Sequence, residues 1–81
     1  MKRIVHVTDD MSQCEIIRKH LELNPEGITP LEAMNIYGIM RLGARVWDLK
    51  ADGYDIRTET VKRKRGKKTI QYARYVMGET A

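Results

Sequence analysis

The stretch ITPLEAMNIYGIMRLGARVWDLKADG, residues 28–53, carries two helix starts and two helix stops within 26 positions. Thr29 can cap a helix, Pro30 suits the first helical position where no amide partner is lost, and Glu32 completes a capping box with Thr29. Leu31, Met34 and Tyr37 are expected to face inward. Gly38 then supplies the left-handed residue that ends a short helix. A third helix is expected from about Met40 to Asp52, because Leu42, Val46 and Leu49 repeat at i, i+4 and i+7, and Gly53 stops it.

Working outward toward the N-terminus, Ser12 with Glu15 three residues later forms another capping-box pattern, and Cys14, Ile17 and Leu21 give one apolar stripe. Arg18, Lys19 and Glu22 are left for solvent, and Asn24-Pro25-Glu26-Gly27 reads as the closing turn. Working outward toward the C-terminus, the period changes to alternation, with β-branched and aromatic residues in Tyr54–Val61 and Thr69–Met77. These predict two antiparallel strands around the run Lys62-Arg63-Lys64-Arg65-Gly66-Lys67-Lys68, whose glycine allows a turn. A two-residue turn at Arg65-Gly66 would set Arg57 against Arg74, so a slipped or bulged register competes with it. Ile4, Val5 and Val7 offer a short third strand. The organisation is α+β: an N-terminal segment or strand over 1–10, three helices over 12–53, a hairpin over 54–77 and a tail over 78–81.

Eighty-one residues suffice for one core and one domain. Hydrophobic residues at 42% and charged residues at 32% place the chain among soluble globules rather than disordered or membrane proteins. No apolar run approaches a bilayer span, the start MKRIVHVTDD lacks the apolar stretch of a signal peptide, and the single cysteine, Cys14, has no internal disulfide partner. The expected compartment is the cytoplasm. Charge divides unevenly: residues 1–55 hold seven Lys/Arg against nine Asp/Glu, and residues 56–81 hold eight against two. Six of those eight cations fall between Lys62 and Lys68, where they repel one another unless something anionic neutralises them.

Capped helices, a tight Gly-containing connection and a terminal hairpin with a cationic tip resemble the winged helix-turn-helix family. Ile28-Thr29-Pro30-Leu31-Glu32-Ala33, Gly38-Ile39-Met40-Arg41-Leu42, Arg45, Trp47-Asp48-Leu49 and Gly53-Tyr54-Asp55-Ile56 are similar to the small helix-turn-helix proteins of bacteriophages and prophages. The resemblance implies double-stranded DNA as partner, a role in regulating transcription, and the cytoplasm of a bacterial host.

The residues supply a matching reading of their own. With Leu42, Val46 and Leu49 inward, Arg41, Ala44, Arg45 and Asp48 are expected on the outward side of the third helix. Arg suits guanine O6 and N7, Asp48 could accept from cytosine, and Ala44 could touch a thymine methyl. The same arginines and Asp48 also have the spacing of surface salt bridges. Helix amides behind Thr29 would point toward phosphate, and Lys62, Arg63, Lys64, Arg65, Lys67 and Lys68 are expected on phosphates or in the minor groove. The reading requires the arginine pair and the basic fingertip to stand on one side of the molecule. Trp47 is expected to be half-buried, and Tyr54, Tyr72 and Tyr75 to fill space between hairpin and helices rather than to stack on bases.

Enzyme chemistry finds no foothold, so no catalytic residue is assigned. His6, His20 and Cys14 fit no common metal spacing, no phosphate loop or nucleophile elbow is present, and Asp9-Asp10 read as a helix-start pair. No metal or cofactor is expected. The basic run has neither the amphipathic helix nor the lipidation signal that a membrane partner requires. A second reading has the same wing gripping an acidic surface on a host protein, to inhibit or redirect it. With no extra helix for a dimer interface, the chain is expected as a monomer or a weak homodimer.

Overall fold

A computed structural model describes residues 3–78. Its elements run α1 (Gln13–Leu23), α2 (Pro30–Tyr37), α3 (Leu42–Ala51), β1 (Ile56–Arg65) and β2 (Lys68–Met77). This is the α+β order of three helices and a hairpin that the sequence predicts. The caps explain the helix starts. The Glu15 N–H donates to Ser12 Oγ, and at α2 both halves of the box form, Glu32 N–H to Thr29 Oγ1 and Thr29 N–H to Glu32 Oε1. Gly38 closes α2 at φ +69. Four residues later α3 begins at Leu42, two positions after the expected start, because Arg41 still holds a non-helical backbone.

Ile16, Ile17 and Leu21 of α1, Ile28, Ala33 of α2, Ile39, Leu42, Val46 and Leu49 of α3, and Ile56 form one buried cluster. Tyr37, Tyr75, Met77 and Cys14 pack against it. The inward face of α2 differs from expectation. Leu31 and Met34 are 67% and 46% exposed, and Ala33 occupies the interior instead, because Ile28 and Ile39 on either side of the short helix already fill the adjoining space.

The N-terminal strand does not form. Residues 3–8 run as coil, and side chains rather than a sheet hold them. The buried Asn24 amide accepts from the Arg3 N–H and donates to the Arg3 and His20 carbonyls, so it imitates a neighbouring strand's peptide group. The Val5 N–H donates to the Tyr37 hydroxyl, which also shares a 2.6 Å hydrogen bond with Nδ1 of the fully buried His20.

The hairpin edge gains a single bridge from elsewhere in the chain. Ile28 pairs with Tyr75 in a one-residue antiparallel bridge, N–H to carbonyl both ways at 2.8 and 2.9 Å. Gly27 makes that approach feasible: it sits at φ +88, and a Cβ there would overlap the Tyr75 carbonyl.

The hairpin is longer than expected, and its turn is shifted by one. Arg65 pairs with Lys68 around Gly66-Lys67, so Lys62–Arg65 and Lys68 belong to strands instead of a loop. Positive φ is confined to Gly66, the first turn residue, as a type II′ turn requires. This register replaces the Arg57–Arg74 clash with Glu59 opposite Arg74, and their side chains meet at 2.8 Å.

Candidate nucleic-acid interface

On α3 the buried positions Leu42, Val46 and Leu49 leave Ala44 and Ala51 diametrically outward at 100° per residue, with Trp47 offset from them toward the Gly43 side. Gly43 and Lys50 form one flank, Arg45 and Asp48 the other. The Gly43 flank faces the hairpin: the Tyr75 hydroxyl lies 3.4 Å from where a Cβ on Gly43 would stand. The Arg45 flank faces α1, where Cys14 Sγ is 3.9 Å from the Arg45 carbonyl and 4.0 Å from Asp48 Oδ2. Burial pushes the Cys14 thiol pKa up, and the Asp48 carboxylate adds to the shift.

The predicted base-contacting residues therefore divide. Ala44 is exposed and outward. Arg41 is exposed at the N-cap, where no side chain caps α3 and no acidic residue occupies its first turn. Arg45 and Asp48 are half-buried and pair at 3.3 Å, while Arg45 Nε is buried with no hydrogen-bond partner among the described residues. Arg41 and Arg45 share a shallow depression with Gln13, Gly38 and Met40.

Trp47 corrects the expectation of a half-buried packing role. It is 70% exposed, on the outward half of α3 toward the Gly43 flank. Its place at the edge of the apolar stripe argued for partial burial, but that edge of α3 is open to solvent. The tyrosines separate as well. Tyr75 packs on the core as expected, whereas Tyr54 is 38% exposed and Tyr72 lines a surface groove. Tyr37, expected inward, is half-buried, and the contact that the sequence did not signal is its edge-to-face pairing with the buried His20 ring, centroids 5.4 Å apart.

Strand alternation splits the basic run across the two faces of the hairpin. Ile56, Tyr75 and Met77 mark the face that packs on the helices, and by alternation and pairing Thr58, Thr60, Lys62, Lys64, Thr69, Gln71 and Ala73 share it. Arg57, Glu59, Val61, Arg63 and Arg65 with Lys68, Ile70, Tyr72 and Arg74 share the reverse face. Lys67 stands in the turn. Lys62 and Lys64 are thus on the α3 side of the wing, Arg63, Arg65 and Lys68 are not, and Arg45 lies on the α3 flank away from it. The other expected phosphate contact, Thr29, has its amide and hydroxyl oxygen engaged in the capping box, which leaves its hydroxyl proton to donate.

Three helices, a four-residue connection before an exposed α3, and a basic hairpin beside that helix describe a recognisable arrangement. A family model for a winged helix-turn-helix domain matches residues 12–80. The chain belongs to that family. No curated protein and no solved structure matches it. A winged helix-turn-helix domain supports DNA as the partner. Among the described residues no helix is long and apolar enough to cross a membrane, and no group of three His, Cys, Asp or Glu side chains could hold a metal.

Proposed function

We propose that this winged helix-turn-helix domain is a sequence-selective double-stranded DNA-binding regulator, of the kind carried by bacteriophages or prophages, acting in a bacterial cytoplasm as a monomer or a weak homodimer. The reading rests on the exposed Ala44 and Trp47 of α3 and on Lys62 and Lys64, which share the helix-packed face of the wing, within a domain of this family; Arg45 on the far flank and Arg63, Arg65 and Lys68 on the reverse face stand apart from that set. In this reading α3 enters the major groove. Ala44 and Trp47 meet base edges and thymine methyls, and Arg45 leaves its pair with Asp48 to take guanine, freeing Asp48 for a cytosine amino group. Arg41 and the uncapped α3 amides meet one phosphate, since anions are favoured at a helix N-terminus. Lys62, Lys64 and Lys67 meet phosphates or the adjacent minor groove, with Arg63, Arg65 and Lys68 adding a weaker field from the reverse face and Thr29 a hydroxyl donor.

Trp47 is the only tryptophan, so its fluorescence reports on this face directly. Titration with a duplex at several salt concentrations should quench or shift it, with log K falling linearly against log salt by about 0.9 per phosphate neutralised. A flat salt response, or binding no tighter to duplex than to heparin, overturns the reading. Site selection from a random duplex library should return a defined motif, and a palindromic one would assign a dimer.

A further inference from the structure

The reverse face of the wing borders an open sheet edge. Both hydrogen bonds of the Ile28 bridge use the Tyr75 backbone, so Tyr75 N–H and carbonyl point away from β1, and alternation points those of Ala73, Gln71 and Thr69 the same way. Only Tyr75 is paired there among the described residues, because the chain turns into the α2 cap at Thr29 directly after Ile28. Beside this edge lies a groove of about 740 Å³ between the wing and the start of α2. Leu31, Ile70 and Tyr72 give it apolar surface, and Leu31 and Ile70 are 67% and 39% exposed. Arg63, Lys64, Arg65 and Arg74 also line it, against Glu26 and Glu32, and the Glu32 carboxylate already accepts from the Thr29 amide.

We propose that this edge takes an extended acidic peptide segment of a partner protein. The segment adds as a strand along Thr69–Ala73, seats an apolar side chain on Leu31, Ile70 and Tyr72, and sets carboxylates against Arg63 and Arg65. A row of alternating N–H and carbonyl groups beside an apolar patch matches a peptide, whereas a DNA backbone has no donor for the Thr69, Gln71 and Ala73 carbonyls. Exposed edges of this kind are templates for pairing, and a cationic border selects against like-charged strands. The site goes beyond DNA binding, since the exposed face of α3 and Lys62 take no part in lining the groove and stay free when it is filled.

The test uses the full chain and a capped synthetic peptide of alternating glutamate and valine, with a glutamine–valine peptide as the uncharged control. Amide hydrogen exchange at Thr69, Gln71 and Ala73 should slow roughly tenfold with the acidic peptide, while Trp47 fluorescence stays unchanged. Arg63→Glu with Arg65→Glu should weaken the peptide roughly tenfold or more, and Lys50→Glu with Lys62→Glu, at exposed cations outside the groove, clearly less, both pairs keeping the parent circular dichroism. Unprotected edge amides, peptide binding reported by Trp47, equal losses from the two pairs, or protection of the same amides by a short duplex would each overturn the proposal. Loss of duplex binding at Trp47 with the edge protection intact would instead count against the DNA reading alone.

Discussion

Single side chains here perform tasks that their residue type does not announce. Asn24 replaces a strand, and its three side-chain hydrogen bonds tie the N-terminal segment to the end of α1. Asn24→Ala strands the Arg3 amide and carbonyl, and thermal unfolding should register a loss of about 1–3 kcal/mol. Trp47 presents the opposite case. Its exposure predicts that Trp47→Ala changes stability by no more than about 0.5 kcal/mol in chemical denaturation, while duplex affinity falls roughly tenfold; unchanged affinity would remove Trp47 from the interface. Cys14 links the core to pH. Because the folded chain holds the thiol proton more tightly than the unfolded chain does, the contribution is complete below the ordinary thiol range and declines as pH rises through and beyond it. Urea unfolding across that alkaline window should show the decline in the parent chain and not in Cys14→Ala.

The helices were legible because their signals are local: Ser12, Thr29, Pro30, Gly38 and the Leu42–Val46–Leu49 spacing act within a turn or two of themselves. The hairpin was legible in kind and not in extent. Lys and Arg are poor strand residues, so Lys62–Arg65 read as loop, and the frame that extends β1 through them is the one that sets Gly66 first in the turn and Glu59 opposite Arg74. The Ile28 bridge gave no pattern at all, because one residue has no period; its only trace is Gly27, whose role depends on a strand 48 positions away. The candidate site shared this limit, since the face on which each cation stands follows from a register that sequence leaves open by one. The split has a measurable consequence at the scale of the element. Lys62→Ala with Lys64→Ala should flatten the salt dependence of duplex binding by about 1.8 in log–log slope, two phosphates' worth. Arg63→Ala with Arg65→Ala should flatten it less, and equal effects would place both faces on the DNA.

At the scale of the molecule, a radius of gyration of 13.1 Å with extents of 44 × 29 × 25 Å describes a small body and one long projection. The buried cluster reaches the hairpin only at Ile56, with Tyr75 and Met77 packed against it, while Arg57–Thr60 and Lys62–Ile70 are exposed throughout. Opening free energy should therefore grade along the wing. Amide exchange measured by NMR should find β1 between Lys62 and Arg65 opening at a small fraction of the free energy of Ile17 or Leu21, which should exchange near the global limit; uniform protection from base to tip would contradict this picture.

The wing is in mechanical terms a cantilever, clamped by its last few residue pairs and loaded at the free end. From Thr60 to the turn it spans roughly 20 Å, so a tilt of about 10° at the clamp swings the charged tip by about 3–4 Å. A sway of that size follows a groove as it narrows or widens along the duplex, and it does so without disturbing the seating of α3.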